Sequence, residues 1–121
     1  MDNNLFTQLQ ELHVAGWNER DAVKRDALLK QIYAHDIRMH DKDFTLDGLQ
    51  AVSDFIGKLL TDDPEFNFSA QKNIDYTQNG ARLYGRIGTG NKVFYSMDFF
   101  VMENDKVAQL YVFMDADKMA L

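Results

Sequence analysis

The sequence predicts an α+β domain in which three helices cover one face of a strongly curved, mainly antiparallel sheet. In the first half of the chain, apolar residues recur at three- and four-residue steps, as they do in amphipathic helices. After Pro64 the apolar period changes to two, which is typical of strands. The 121 residues are enough for one domain with its own hydrophobic core, and we assign residues 1–121 to a single domain.

Two helices are predicted at the amino-terminal end. The apolar spacing places the first helix at about residues 3–17. Asn18 is expected to cap a second helix, because its side chain can accept a hydrogen bond from a free backbone N–H. The apolar positions of the second helix continue to Tyr33.

A short strand and a third helix are predicted next. The stretch "DIRMHD" alternates in polarity and predicts a strand at about residues 36–41. Asp47 is expected to cap the third helix, which ends before Pro64 because proline cannot continue a helix. The apolar stripe of this helix consists of Leu49, Val52, Phe55, Ile56, Leu59 and Leu60.

Beyond Pro64 the sequence predicts four strands joined as an antiparallel meander. The pair Asn79-Gly80 is the strongest short signal for a hairpin, and "GTGN" and "ENDK" indicate two further turns. The four strands are "FNFSAQKNIDYTQ", "ARLYGRI", "KVFYSMDFFVM" and "VAQLYVFMD".

The predicted strand at 93–102 is largely apolar on both faces. Its two faces carry Phe94, Ser96, Asp98, Phe100 and Met102, and Val93, Tyr95, Met97, Phe99 and Val101. An antiparallel strand that is solvated on one side should alternate with polar residues. Since the helices can cover only one face, we expect the other face, with Tyr111 and Phe113 of the last strand, to form a homodimer interface.

Composition narrows the classes of partner. The net charge of −6 disfavours nucleic acids and anionic membranes as partners. There is no cysteine, so disulfides and thiolate metal sites are excluded. The sequence has neither a basic, apolar amino-terminal leader nor a run of about 18 apolar residues, so we expect a cytoplasmic globular protein.

Asp98 is the clearest candidate site residue on the residues alone. Aspartate is disfavoured within strands, and Asp98 shares a face with Phe94, Phe100 and Met102. A buried carboxylate must be either neutral or paired, because an unpaired buried charge is too costly. Asp98 is therefore either a proton donor in a pocket or the partner of Arg82, which a turn at residues 89–90 would place roughly opposite.

Asp41 and His13 each allow two interpretations. Asp41 has the parity of Ile37 and Met39, so it either enters an apolar cavity or begins a turn. His13 lies on an apolar helix face and is either a hydrogen-bonded core residue or a functional group.

A metal site at the strand 36–41 is not expected. The candidate ligands are His35, Asp36, His40 and Asp41. Strand alternation divides these side chains between two faces, so they cannot easily surround one ion.

The chain resembles the nuclear transport factor 2-like, or SnoaL-like, superfamily, which includes ketosteroid isomerases and small polyketide cyclases. The matching stretches are "LHVAGWNERD", "LLKQIYAHDIRMHD", "DGLQAVSDFIGKLL" and "YSMDFFVMENDKVAQLYVFMD". The resemblance implies a conical α+β barrel, usually dimeric, with an internal pocket between the helices and the concave face of the sheet. It does not imply one reaction, because this fold carries isomerases, cyclases, dehydratases, hydrolases and binding modules.

The resemblance to ketosteroid isomerases also implies roles for three residues. Asp41 falls at the position of the general base, and Asp98 at that of a protonated acid that donates to the developing oxyanion. His13 falls where those enzymes have a second oxyanion donor, a tyrosine. Ile56 replaces one member of a tyrosine network that supports the donors in many of them, although Tyr33 remains.

The expected ligand is an apolar or aromatic small molecule that carries a carbonyl group, and no cofactor is expected. The predicted pocket-lining residues are Trp17, Tyr33, Phe55, Phe94, Phe100, Met102, Val112 and Met114, each of which also fits an ordinary core. One hypothesis is a proton-transfer enzyme that catalyses isomerisation, cyclisation or dehydration, with Asp41, Asp98 and His13 in its active site. The alternative is a non-catalytic ligand-binding or dimeric interaction module.

Overall fold

The computed structural model describes residues 3–115 and contains three helices and seven strands in this range. The helices are α1 (Asn3–Asn18), α2 (Ala22–Leu29) and α3 (Leu49–Asp62). The strands are β1 (Tyr33–His40), β2 (Thr45–Asp47), β3 (Asn67–Ala70), β4 (Asp75–Thr77), β5 (Gly80–Thr89), β6 (Lys92–Glu103) and β7 (Lys106–Asp115). The predicted α+β class is confirmed.

The sheet is mixed and open. Its strand order is β2-β1-β7-β6-β5-β3, and β4 pairs separately with β5. All pairs are antiparallel except β1 with β7, which run parallel. The expectation of a strongly curled conical barrel is not met in the described residues, since the path ends in the short edge strands β2 and β3 without closing.

One hydrophobic core joins the helices to the inner face of the sheet. It is built from long apolar side chains that alternate inward on the strands and recur at helical steps on α1 and α3. Its most deeply buried members include Phe6, Leu9, Val52, Ile56, Ile37, Leu83 and Leu110.

The start of α2 differs from the prediction. Asn18 does not cap α2; Asp21 does, by accepting a hydrogen bond from the backbone N–H of Lys24 at 3.0 Å. The side chain of Asn18 instead reaches across to β3, where it donates to the carbonyl of Phe68 at 2.7 Å and accepts from its N–H at 2.8 Å. α2 is also shorter than predicted, because Tyr33 already belongs to β1.

The start of α3 also differs. Asp47 is not a helix cap but the last residue of β2, where it lies opposite Arg38 and pairs with it at 2.6 Å. Gly48 is the capping residue and has a φ of 96°, a conformation that glycine adopts without strain. The helix ends at Asp62, two residues before Pro64, as predicted.

The segment 66–78 forms two strands rather than one. β3 and β4 both pair with β5, and the chain between them leaves the sheet. There the N–H of Ile74 bonds the side chain of Gln10 at 2.8 Å, which takes the segment away from β5 and towards α1. The alternation of polar and apolar residues in the sequence does not reveal this long-range hydrogen bond between Ile74 and Gln10.

None of the helices within residues 3–115 is both long and apolar enough to cross a bilayer.

Candidate functional site

A cavity of about 310 Å³ opens beside the inner face of the sheet. Its walls are mostly apolar and come from two helices and the sheet, including Trp17 of α1, Phe55 and Leu59 of α3, Phe94 of β6, and Val112 and Met114 of β7. Two carboxylates, Asp41 and Asp63, also line it. An apolar enclosure with a few polar groups is typical of a small-molecule site.

A second, smaller hollow of about 30 Å³ adjoins this cavity. The two share walls formed by Trp17, Ile87, Val112 and Met114. The polar groups of the hollow are Ser96 and Asp98, which point to the same face of β6 because they are two residues apart. The side chain of Asp98 is 7% exposed.

Asp98 ends a chain of buried hydrogen bonds. His13 Nε2 lies 2.8 Å from Asp98 Oδ2, and His13 Nδ1 lies 2.5 Å from the hydroxyl of Tyr33. The indole Nε1 of Trp17 donates to the same hydroxyl at 3.0 Å. The network thus connects helix α1 to strands β1 and β6.

The hydrogen-bond partners assign the protons in this network. The Tyr33 oxygen accepts from Trp17, so its own hydrogen is free to be donated to His13 Nδ1. His13 Nε2 then carries the remaining ring proton and donates it to Asp98, which accepts as a carboxylate. This arrangement uses every donor, whereas a proton on His13 Nδ1 would leave the Tyr33 hydrogen without a partner among the described residues.

Burial also shapes the ionisation of Tyr33. Loss of solvent raises the pKa of its phenol far above the ordinary value, and the nearby negative charge of Asp98 raises it further. The hydrogen bond from Trp17 acts in the opposite direction but does not offset the burial. Tyr33 is therefore a neutral hydrogen-bond donor at any physiological pH.

Asp41 follows β1 directly and is half-buried. Its backbone N–H bonds the carbonyl of Phe44 at 2.8 Å, so Asp41 does begin a turn. Its side chain nevertheless lines the cavity, as does that of Met39. Within the described residues no hydrogen bond or ion pair engages the carboxylate of Asp41. Asp41 thus both begins a turn and lines the apolar cavity, so the two interpretations of this residue do not exclude each other.

The other predicted pocket residues divide into two groups. Trp17, Phe55, Phe94, Val112 and Met114 line the cavity. The rest, Tyr33, Phe100 and Met102, are at most 2% exposed and belong to the core. Tyr33 lies there because its hydroxyl serves His13 and Trp17, and the Phe100 ring lies edge-on against the His13 ring, with centroids 4.9 Å apart.

His13 is completely buried and both of its ring nitrogens are engaged within the protein. It lines neither the cavity nor the hollow, but it bonds to Asp98, which lines the hollow. The salt bridge between Asp98 and Arg82 is not formed, because Asp98 lies opposite Leu83 on one face of the sheet and the side chain of Arg82 is on the other face. The β5–β6 turn is also one residue later than expected and pairs Thr89 with Lys92. Arg82 thus lies opposite Phe99 and pairs with Asp75 at 2.9 Å.

Sequence reasoning missed several residues of the site. Ser96, in the hollow, had a signal, because it shares its strand face with Asp98. Asp63, on the cavity wall, had none, since it lies in the turn after α3 and accepts hydrogen bonds from Thr89 and from the backbone of Glu65. Within residues 3–115, no three His, Asp or Glu side chains cluster closely enough to hold a metal ion.

Comparison with known proteins gives a match by structure but not by sequence. The sequence matches no family model and no curated protein. Among solved structures, it is 22% identical to a SnoaL-like family protein from Agrobacterium tumefaciens, provisionally assigned as an isomerase. The TM-score is 0.83, and the similarity covers 93% of this chain and 98% of that one.

Two other solved structures are similar. One is a SnoaL-like protein from Jannaschia sp., provisionally assigned as a polyketide cyclase, with 11% identity, a TM-score of 0.73, and coverage of 95% of this chain and 90% of that one. The other is an NTF2-like protein of unknown function from Cytophaga hutchinsonii, with 15% identity, a TM-score of 0.65, and coverage of 88% and 85%. Identities this low support a shared fold rather than a shared reaction. The chain thus has the fold of the SnoaL-like and nuclear transport factor 2-like proteins, as the sequence resemblance predicted.

Proposed function

We propose that this protein binds an apolar small molecule carrying a carbonyl group in its cavity and catalyses proton transfer on it without a cofactor. The observation that carries the proposal is the position of Asp41, a carboxylate that lies on the wall of an apolar cavity and has no hydrogen-bond or ion-pair partner within residues 3–115. A general base needs both access to the ligand and a free lone pair, and Asp41 has both. The provisional assignments of the solved relatives as an isomerase and a cyclase are compatible with this chemistry.

In the proposed reaction, Asp41 accepts a proton from the carbon next to the carbonyl group. The C–H electron pair becomes the carbon–carbon double bond of an enolate, and the carbonyl electrons move to oxygen. Return of the proton to a different atom gives an isomer. Alternatively, the enolate carbon attacks a second carbonyl group of the ligand, and the resulting alkoxide takes the proton back from Asp41 to give a cyclised product. Apolar walls favour this step because they exclude the water that would otherwise compete for both charges.

Asp98 and His13 have different tasks in this proposal. Asp98 lies in the hollow next to the cavity. Its carboxylate accepts a hydrogen bond from the ligand and so fixes the position of the ligand relative to Asp41. His13 is a positioning residue, because it acts on the ligand only through its hydrogen bond to Asp98 Oδ2. Holding a reactant in one orientation is a large part of catalysis, so both residues contribute to the rate without removing the proton.

A second candidate function is ligand binding without catalysis. One observation favours it: among the described side chains that line the 310 Å³ cavity, the two hydrogen-bond donors are Trp17 and Thr89, and both donate within the protein. An enolate oxygen in that cavity would therefore lack side-chain donors, which usually supply much of the stabilisation of such an intermediate.

Solvent-deuterium exchange into 2-tetralone, a bicyclic aromatic ketone with acidic α-hydrogens, separates the two candidates. Proton NMR in deuterated buffer measures loss of the α-hydrogen signals. We expect the protein to accelerate exchange above the buffer rate, and we expect Asp41→Asn to reduce this acceleration by about 100-fold or more, the usual contribution of a general base.

Asp43→Asn is the matched control for this experiment. Asp43 lies two residues away in the same turn, is exposed and does not line the cavity. It should leave the exchange rate unchanged. Exchange at the buffer rate with the unaltered protein, together with a 2-tetralone-induced rise in melting temperature, would establish the binding module instead.

A further inference from the structure

Ser96 is the one side chain among the described residues whose buried polar atom has no hydrogen-bond partner. The residue is 1% exposed, and its side chain lines the small hollow next to Asp98. Buried hydroxyls are nearly always hydrogen-bonded, because an unsatisfied one costs free energy. A hydroxyl that faces a hollow and has no partner within residues 3–115 therefore indicates a bound partner.

The backbone opposite Ser96 makes room for this hydroxyl. Gly85 pairs with Ser96 across β5 and β6, and a Cβ atom at Gly85 would lie 2.6 Å from Ser96 Oγ and 2.5 Å from the Phe68 ring. Any larger residue would push the hydroxyl or the ring from its place. The glycine thus keeps both the Ser96 hydroxyl and the adjoining ring in position at the hollow.

The two polar groups of the hollow can take complementary hydrogen-bond roles, one as an acceptor and one as a donor. Asp98 already accepts one hydrogen bond from His13, and as a carboxylate it can only accept more. Ser96 can donate its hydroxyl hydrogen. A single ligand atom that satisfies both must donate to Asp98 and accept from Ser96.

We infer that the hollow is a specificity subsite for a ligand hydroxyl group, with Ser96 and Asp98 as its binding residues. A hydroxyl offers one hydrogen to Asp98 and lone pairs to Ser96. A carbonyl oxygen would satisfy Ser96 but would face the Asp98 carboxylate with lone pair against lone pair. The volume of about 30 Å³ is sufficient for one such group and too small for a ring.

The inference deepens the proposed function and rests on its binding part. It specifies the substrate class as an apolar ring compound that carries, besides its carbonyl group, a hydroxyl group at the end that enters the hollow. The hydroxyl would lie in the hollow and the ring in the larger cavity, and Trp17 and Val112 line both spaces.

The test compares two ligands that differ only in the hydroxyl. Isothermal titration calorimetry measures the affinities of 2-naphthol and naphthalene for the full chain. We expect 2-naphthol to bind about tenfold or more tightly, because hydrogen bonds to a charged group are strong and naphthalene can neither donate to Asp98 nor accept from Ser96. Ser96→Ala should reduce this preference several-fold.

Ser69→Ala is the matched control, because Ser69 lies in β3 of the same sheet and lines neither the cavity nor the hollow. It should keep the full preference for 2-naphthol. A thermal melt of each variant excludes loss of folding as the cause of a change. Equal affinities for the two ligands, or an unchanged preference in Ser96→Ala, would overturn the subsite.

The 2-tetralone exchange assay separates this failure from failure of the proposed function. Equal affinities with enzyme-catalysed exchange would remove the hydroxyl subsite and leave the proton-transfer activity. A preserved preference for 2-naphthol without exchange would leave the subsite in a binding module. If neither of the two calorimetry ligands binds and 2-tetralone exchange stays at the buffer rate, both the subsite and the proposed function are wrong.

Discussion

Trp17, Tyr33, His13 and Asp98 form one hydrogen-bonded chain through the middle of the protein. Each member depends on the next, because a buried donor or acceptor that loses its partner costs more free energy than the hydrogen bond itself contributed. The network therefore fixes the orientation of Asp98 at the hollow and stabilises the fold at the same time.

Tyr33→Phe should change how stability depends on pH. The pKa of the buried phenol is raised, so above about pH 10 the unfolded chain releases this proton while the folded chain keeps it. The unfolded state then binds fewer protons, and the free energy of unfolding falls by about 1.4 kcal/mol per pH unit through this residue. Urea unfolding between pH 8 and 11 should show that Tyr33→Phe removes this component of the alkaline loss.

At neutral pH the same substitution should cost about 1–3 kcal/mol, because it leaves His13 Nδ1 and the Trp17 N–H without their partner. Tyr111→Phe, on the outer face of the sheet, is the control and should retain the alkaline loss of the unaltered protein. Parallel pH profiles for Tyr33→Phe and the unaltered protein would contradict this assignment.

Single residues were predictable from the sequence where a local rule was broken. Asp98 was identified because aspartate within an apolar strand is unusual. Its partner was not predictable, since His13 lies 85 positions away and only the packing of α1 on β6 brings the two together. Ser96 shares the strand face of Asp98, but serine is unremarkable in a strand, and its lack of a partner among the described residues is visible only in three dimensions.

At the scale of elements, the side chain of Asn18 holds the end of α1 to the edge strand β3. It makes hydrogen bonds of 2.7 and 2.8 Å with the backbone of Phe68 and one of 2.9 Å with the carbonyl of Val14. β3 is only four residues long and pairs with β5 alone, so this contact is a main support on its other side.

Asn18→Ala should reduce the free energy of unfolding by about 1–3 kcal/mol, because it leaves backbone groups of Phe68 unpaired. Hydrogen exchange at the Phe68 amide should accelerate more than exchange in β6. Asp21→Ala removes the actual cap of α2 and serves as the comparison, with a loss of about 1 kcal/mol and no effect at Phe68. Unchanged exchange at Phe68 in Asn18→Ala would contradict this role.

Elements were predictable where the apolar period was long. The helices α1 and α3 and the strands β5, β6 and β7 follow their periods closely. The errors occurred where side chains had several possible partners: both Asn18 and Asp47 are good caps in isolation, but each bonds to a residue that another element brings closer. The parallel pairing of β1 with β7 has no local signal.

At the scale of the whole molecule, the outer face of the sheet remains apolar. Tyr111 and Phe113 of β7 are 37% and 52% exposed, next to Phe99 and Met97 of β6. Contiguous exposed apolar surface of this kind marks an interaction site in most proteins. We propose that two copies of the chain associate through this face as a homodimer, which is the commonest symmetric arrangement.

Phe113→Glu should convert the dimer to a monomer, since it would bury two related charges at the interface. Sedimentation velocity at micromolar concentration measures the association state directly. Val23→Glu is the control, because Val23 is 79% exposed on α2 and away from the sheet face, and this variant should remain dimeric. A monomeric unaltered protein would refute the proposed interface.

We propose that Asp98 faces the ligand as a hydrogen-bond-accepting carboxylate, which requires His13 to donate to it. Long-range proton–nitrogen NMR correlation of the histidine rings at pH 7 shows which ring nitrogen carries the proton, with His13→Gln identifying the His13 signals among those of the three histidines. We expect a His13 ring protonated on Nε2 and unprotonated on Nδ1, as the donation to Asp98 requires. A proton on Nδ1 would contradict the assigned direction of both hydrogen bonds and with it the hydroxyl subsite.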